Sequence, residues 1–330
     1  MKSKQVALSL AILLALGTGT VLHAEAQGNP TEYSRHFGDE NTVTSDHSLA
    51  VGFRNTVSGS YSTAVGQSST ASGETSLAIG RSAQATANNT NAIGRSARAE
   101  GENATAIGHG SVSSGRNSNA FGSSAKASAE ASTAVGNSTK ASGISSTATG
   151  FNAEASGNFS SAYGNDARAK GNRSVAVGYN AKAEESATAV GNNANAGAAN
   201  AVALGSGNTI TARGGVGIGS SNSVSGIDSG AFGVRNNVAQ ANTYVLGSNV
   251  TSTQGNSVLL GNASTDRAAT TETQANINGI NYSGFAGVGS ARNGVTSVGA
   301  SGKERQVINV ASGKVSSDST DAINGCLLYT

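Results

Sequence analysis

The sequence has 330 residues, including 45 glycines, one proline and no tryptophan, and only 12% are charged. Aromatic residues make up 4%, which excludes a conventional core of large side chains, so small residues have to fill any interior. The formal net charge of +2 excludes the strongly basic balance typical of nucleic-acid-binding proteins.

Residues 1–26 have the features of a secretory signal. Two lysines precede the apolar run Val6 to Leu16, and Ala24-Glu25-Ala26 supplies a cleavage site of small residues. The apolar run is shorter than the roughly 20 residues that span a bilayer, which argues against a membrane helix. We therefore expect export of the chain and cleavage after Ala26.

Residues 27–44 form a lead segment that contains Tyr33, His36 and Phe37. Repetitive folds need an atypical terminal unit, so we expect this segment to cap the first repeat. His36, His47 and His109 lack the spacing of metal ligands, and we expect them on the solvated surface.

From residue 45 to residue 265 the pattern Ser-x-Ala-(Val/Ile)-Gly recurs every 14 residues. Only the interval from Gly178 to Gly191 is 13 residues long. The sixteen turn glycines that end the pattern are Gly52, Gly66, Gly80, Gly94, Gly108, Gly122, Gly136, Gly150, Gly164, Gly178, Gly191, Gly205, Gly219, Gly233, Gly247 and Gly261. Such a constant register argues against a flexible linker, despite the Gly/Ser-rich composition.

The residue pattern within each repeat predicts two short strands and two turns. The second strand shows the small-polar-small alternation of a half-buried strand, as in Ala97-Arg98-Ala99. The turn glycines, and a second glycine column that includes Gly59 and Gly143, are expected where the backbone needs positive φ values. The sequence therefore predicts an all-β, single-stranded parallel β-roll, or β-solenoid, of about 16 coils of 14 residues.

Alternation also predicts what lies inside and outside the roll. Alanines from both strands are expected to meet in a thin interior that has no room for larger side chains. The residue after each alanine should point outward and form an apolar column that packs against identical chains. The expected interface residues are Val51, Val65, Ile79, Ile93, Ile107, Phe121 and Val135.

The repeat resembles the YadA-like head of trimeric autotransporter adhesins, most closely at Asn256-Ser-Val-Leu-Leu-Gly261 and Ser174-Val-Ala-Val-Gly178. Residues 266–302 look like that family's connector, and residues 303–330 look like an incomplete neck. The resemblance implies a left-handed roll, a homotrimer, and attachment to matrix proteins of the collagen, fibronectin and laminin class or to other bacterial cells. It implies no cofactor and no enzymatic activity.

Family necks continue into a stalk, whereas this sequence has Cys326-Leu-Leu-Tyr329 and then Thr330. Two interpretations stay open: a fragment of a longer adhesin, or a prematurely ended product. With the family's anchor the head would lie on the outer membrane at the cell surface; without it the chain would be secreted or periplasmic. Cys326 is interpreted as a neutral substitution near the terminus rather than a reactive thiol.

Catalytic patterns are not evident in the sequence. Gly214–Gly219 lacks the strand, helix and lysine context of a phosphate-binding loop, and Glu184-Glu185 lacks a cleft. Within an adhesive surface, the expected ligand-binding residues are Asn172, Ser174, Val175, Asn256, Ser257 and Val258.

Other classes of β-solenoid fit less well. An ice-binding array needs a regular threonine column, but the position before the alanine changes from Leu49 to Thr63, Leu77 and Asn91. An acyltransferase-type helix needs a hexapeptide period. A non-adhesive structural solenoid and a non-functional remnant remain the alternatives to an adhesin.

Overall fold

The computed structural model describes residues 33–326, in which the repeat forms two parallel β-sheets. The first sheet has eighteen strands within these residues. They are Arg35–Phe37, Leu49–Phe53, Thr63–Gln67, Leu77–Arg81, Asn91–Ile93, Thr105–Ile107, Asn119–Phe121, Thr133–Val135, Thr147–Thr149, Ser161–Tyr163, Val175–Val177, Thr188–Val190, Val202–Leu204, Val216–Ser220, Gly230–Val234, Tyr244–Ser248, Val258–Leu260 and Thr296–Ser297.

The second sheet has fifteen strands of two residues each within the same range. They are Thr42–Val43, Thr56–Val57, Thr70–Ala71, Gln84–Ala85, Arg98–Ala99, Val112–Ser113, Lys126–Ala127, Lys140–Ala141, Glu154–Ala155, Arg168–Ala169, Lys182–Ala183, Asn195–Ala196, Thr209–Ile210, Ser223–Val224 and Asn237–Val238. One strand of each sheet and the two corners between them make one coil.

Every strand of the roll pairs in parallel with the strand of the next coil. Ala50 pairs with Ala64, fourteen residues later, whereas Val175 pairs with Thr188 across the 13-residue interval. This register confirms the predicted all-β parallel solenoid. Stacked parallel strands lie about 4.8 Å apart, so sixteen coils make a rod of roughly 75 Å.

Alanine dominates the interior, as the sequence predicts. The second residue of each first-sheet strand from Leu49–Phe53 to Val258–Leu260 is buried, as at Ala106 and Ala120, and the last residue of the second-sheet strands faces it, as at Ala99 and Ala127. Because methyl groups meet across the coil, the two sheets lie close together and the core has no need of aromatic side chains.

The prediction that the interior admits nothing larger than alanine is wrong. Val57, Ile210 and Leu259 are completely buried, with Val224, Val238, Val245 and Val250. At Ile210 the space comes from glycine: a Cβ on Gly217 would lie 2.3 Å from Ile210 Cδ1, and one on Gly215 would lie 2.8 Å from Ile210 Cγ2. At this coil glycine therefore compensates for the larger side chain, whereas Val238 and Val245 are both fully buried in neighbouring strands.

The lead segment is itself part of the roll. Arg35–Phe37 pairs in register with the strand at Leu49. The roll therefore begins ten residues before residue 45, where the sequence predicts its start. His36 aligns with Ala50, and both of its ring nitrogens are buried without a hydrogen-bond partner. The expectation that His36 is solvated is therefore wrong, because strand alternation points its ring into the first coil.

At the other end the chain leaves the roll after Leu260 and then returns to it. An antiparallel hairpin pairs Gln274–Ile277 with Ile280–Ser283, and a 3-10 turn spans Ala291–Asn293. Thr296–Ser297 then pairs with the strand at Val258 and closes the first sheet. The predicted connector thus contributes the last strand of the roll.

Arg305 covers this closed end. Its guanidinium donates hydrogen bonds to the carbonyl oxygens of Asn262 (2.7 Å) and Val298 (2.6 Å) and to Ser264 Oγ (3.1 Å). Since the last coil has no following coil to satisfy its carbonyls, this arginine supplies donors that the repeat cannot.

Candidate binding surfaces of the roll

The turn glycines lie at the end of the first-sheet strands, where the backbone needs positive φ and the next coil is close. Gly66 has φ +137° and Gly136 has φ +130°, a region that side-chain-bearing residues rarely adopt. A Cβ on Gly136 would also lie 2.4 Å from the carbonyl oxygen of Gly150 in the next coil. Both constraints support the predicted role of the glycines at Gly52, Gly66, Gly80, Gly94, Gly108, Gly122 and Gly136.

The second glycine column has a different cause from the one predicted. Gly59 and Gly143 are not among the residues with positive φ. A Cβ on either would lie 1.9 Å from the carbonyl oxygen of the glycine fourteen residues later. Ala87 and Ala129 follow Gly73 and Gly115 in the same column, and Gln240 follows Gly226. The close stacking of coils therefore accounts for the glycines without requiring a small residue at every coil.

Both corners contain residues with left-handed backbone conformation, and most of these residues are not glycine. Arg54, Tyr61, Ser68 and Thr75 have φ between 55° and 58° and recur every seven residues. Sequence reasoning missed these positions because they vary in type. Frequent asparagine and serine at this spacing was the available signal, since short polar side chains tolerate left-handed backbone.

Exposed asparagines stack along the second corner, the turn that follows each second-sheet strand. Asn89 donates to Asn103 Oδ1 (3.1 Å), and Asn103 donates to Asn117 Oδ1 (2.9 Å). At the start of the same column Tyr33, His47 and Tyr61 stack with ring centroids 5.2 and 4.8 Å apart. The corners therefore present continuous rows of side chains rather than a pocket.

The predicted apolar column lies on the outer surface of the first sheet. Ile93, Ile107, Phe121 and Val135 are paired in register from coil to coil. Ile107 and Val135 are each 37% exposed, and further along the same column Leu246 is 61% exposed. Residues 33–326 thus carry an apolar column with no covering element of their own chain.

The six predicted ligand-binding residues fall into three environments. Asn172 and Asn256 are exposed at the second corner, and Val175 and Val258 lie on the outer surface of the first sheet. Ser174 and Ser257 are completely buried, so a surface ligand cannot reach them, and Ser174 Oγ donates to the carbonyl of Gly171 (2.6 Å). For these two serines the sequence prediction is wrong, since alternation turns them into the coil.

Val175 precedes Val177 of the apolar column by two residues, so both side chains share one face. A ligand at Val175 would therefore compete with a neighbouring chain on the first sheet. The corners do not have this conflict. There sequence reasoning missed exposed Phe151, Phe159 and Tyr179, which have 55%, 62% and 53% of their surface accessible.

Local electrostatic interactions shift the pKa of one residue near each end of the rod. Arg54 Nε lies 2.5 Å from Glu40 Oε2, and this hydrogen bond, with the charge of Glu40, raises the pKa of Arg54. At the C-terminal end, backbone N–H groups of Glu304 and Gly302 lower the pKa of Glu304. Both groups are exposed, so these shifts do not indicate a catalytic site.

A shallow cleft of about 580 Å³ lies at the C-terminal end and is lined by Thr265, Asp266, Thr296, Glu304 and Arg305 among others.

Among residues 33–326 no group of three or more His, Cys, Asp or Glu side chains could hold a metal ion. Within this part of the chain, no helix has the length and apolar character to cross a membrane. Cys326 is exposed. The predicted signal at residues 1–26 lies outside the described residues.

Comparison with known proteins gives a family for the repeats. The YadA head domain repeat matches residues 44–69, 71–97, 85–111, 113–139, 141–167, 160–181, 169–186 and 183–208. A solved C-terminal YadA-like domain from Burkholderia pseudomallei is 35% identical over 33% of this chain and 46% of that chain, with a TM-score of 0.25. No curated protein matches the chain.

The family match ends at residue 208, next to the coil in which Ile210 replaces the interior alanine, although the strands continue in register beyond it. The matched ranges cover coils that each have the two strands and the turn glycine of the repeat. The repeats of residues 44–208 therefore belong to the YadA head domain repeat family.

Proposed function

We propose that this chain is the adhesive head of an exported surface protein, which attaches cells to matrix proteins of the collagen, fibronectin and laminin class and to other bacterial cells. The in-register stack of YadA-type coils carries the proposal, because it repeats one surface many times. Many weak, equivalent contacts give avidity without a deep pocket. The family is typically non-enzymatic.

The head functions as a homotrimer. The apolar column on the first sheet supports this assembly, since it runs the length of the rod and is longer than the apolar patches that monomers expose. Packing three chains on this face would bury the column and leave the second sheet and the corners accessible. Sedimentation of the purified chain should give three times the mass of one chain.

A binding experiment tests the adhesive function. Purified chain should bind immobilised collagen, fibronectin or laminin saturably, and beads coated with it should aggregate. Substituting both exposed asparagines, Asn172→Ala and Asn256→Ala, should weaken attachment if the second corner contributes contacts. Asn137→Ala with Asn165→Ala, two exposed asparagines at the corner that follows the first sheet, is the matched control. A trimer that binds none of the three proteins and aggregates no beads would contradict the proposal.

A further inference from the structure

The outer surface of the second sheet carries a column of cations in the middle of the rod. The column is formed by the first residue of successive strands and contains Arg98, Lys126, Lys140, Arg168 and Lys182. Lys126 pairs in register with Lys140, and Arg168 pairs with Lys182. Since coils repeat about every 4.8 Å, this basic column spans six coil steps, or roughly 29 Å.

Few acidic groups balance the basic column. Arg98 lies 3.5 Å from Glu100, and Arg168 lies 4.0 Å from Glu154, the single acid within the column. Glu184 lies on the same surface beyond Lys182, and Lys170 adds a further cation. The overall charge of the chain is near zero, so this local excess is a property of one surface.

Lys126 and Lys140 form no ion pair with any residue of 33–326, and both side chains are exposed. Like charges directly opposite each other in a sheet are destabilising. Gln84 occupies the same column, so the fold itself does not require a cation there. Like charges meet at two steps of the column, Lys126 with Lys140 and Arg168 with Lys182, and an anionic partner that lies along the rod would relieve the repulsion at both.

The residues beside the basic column favour one class of polyanion. Ser114, Ser128, Ser142 and Ser156 follow the column two residues later and form a parallel row of hydroxyl groups. Neither row contains an aromatic residue between residues 98 and 184. Sequence-tolerant binding of single-stranded nucleic acid relies on aromatic stacking platforms, whereas a sulfated sugar chain needs cations for its sulfates and polar partners for its hydroxyls.

We propose that the basic column binds a linear sulfated polysaccharide aligned with the rod axis. The proposal deepens the adhesive function proposed above and rests on it, because the surface has to be displayed outside the cell. Three chains that associate through their first sheets would present three such columns. The binding would weaken steeply with salt, since each cation–sulfate contact releases counterions.

Titration of the purified chain with size-defined heparin oligosaccharides tests this inference. The paired substitution Lys126→Gln and Lys140→Gln should reduce affinity at least tenfold and flatten its dependence on salt. The matched control Arg81→Gln and Arg95→Gln removes the same charge from adjacent coils where the first-sheet strands end, and it should change affinity less than about twofold. Unsulfated heparosan of equal length should not bind.

Circular dichroism and thermal unfolding should show that both paired variants remain folded. The inference is overturned if heparin does not bind at low salt, if both variants lose affinity equally, or if a single-stranded oligonucleotide of equal charge binds as tightly. Failure with heparin by a trimer that still binds collagen overturns this inference alone. Failure with heparin, collagen, fibronectin and laminin together removes the proposed adhesive function as well.

Discussion

Asn222 shows how one side chain connects successive coils. Its Nδ2 donates to Asn208 Oδ1 (3.0 Å) in the previous coil and to the carbonyl of Gly233 (2.8 Å) in the next one. Its Oδ1 accepts hydrogen bonds from the backbone N–H and the side chain of Asn236. Because Asn208, Asn222 and Asn236 are buried and the Gly233 carbonyl is part-buried, the amide satisfies polar atoms that have little access to water.

Replacing Asn222 with alanine should cost about 2 kcal/mol, because the part-buried Gly233 carbonyl and the buried Asn236 N–H each lose a hydrogen bond to its amide. Asn103→Gly, in the row of exposed asparagines, should cost less than about 1 kcal/mol, since water replaces the lost partner and glycine keeps the left-handed backbone at this position. Denaturant unfolding of the two variants measures the difference. Equal stability of both would show that the buried amide column does not stabilise the stack.

The sequence predicts the position and orientation of many individual residues, but not of all of them. Strict spacing located the turn glycines and the outward column at Ile93 and Ile107. The prediction for Ser174 and Ser257 is wrong because both share the inward face of their strands with the buried Ala176 and Leu259. Gly143 was misinterpreted, since contact between coils fourteen residues apart cannot be inferred from local turn rules.

At the scale of the element, the two strands of one coil compensate for each other in volume. Ala196 pairs with Ile210 and Ala203 pairs with Gly217, so the alanine-alanine coil is followed by an isoleucine-glycine coil. Both arrangements fill the same thin space between the sheets. Periodicity predicted the strand and its inward residue, but the exchange of volume between two sheets depends on packing across the coil.

A double-mutant cycle on this coil tests the compensation. Gly217→Ala alone should destabilise the protein by about 2 kcal/mol, because the new methyl group overlaps Ile210. Ile210→Ala alone should cost about 3 kcal/mol through the cavity that it leaves. The double variant restores the alanine-alanine pair of the previous coil and should cost at least 1 kcal/mol less than the sum. Strict additivity in denaturant unfolding would argue that the two residues do not share one space.

At the scale of the whole molecule, the two sheets expose different chemistry. The first sheet presents the apolar column, whereas the second sheet presents serines, threonines and the basic column. This asymmetry indicates which surface is available for association between chains, because desolvating adjacent lysines is far more costly than covering valines. The sequence predicted the apolar column from alternation, but it gave no indication of Arg305 closing the far end, which depends on the chain returning to the roll.

Two valine substitutions on opposite sheets test the central claim, that identical chains assemble through the first sheet. Val135→Glu places a carboxylate in the apolar column, and Val112→Glu places one on the second sheet between Arg98 and Lys126. Sedimentation equilibrium should show three chains for the unmodified protein and for Val112→Glu, and a folded species of lower mass for Val135→Glu. A monomeric unmodified protein, or an intact trimer of Val135→Glu, would contradict the account.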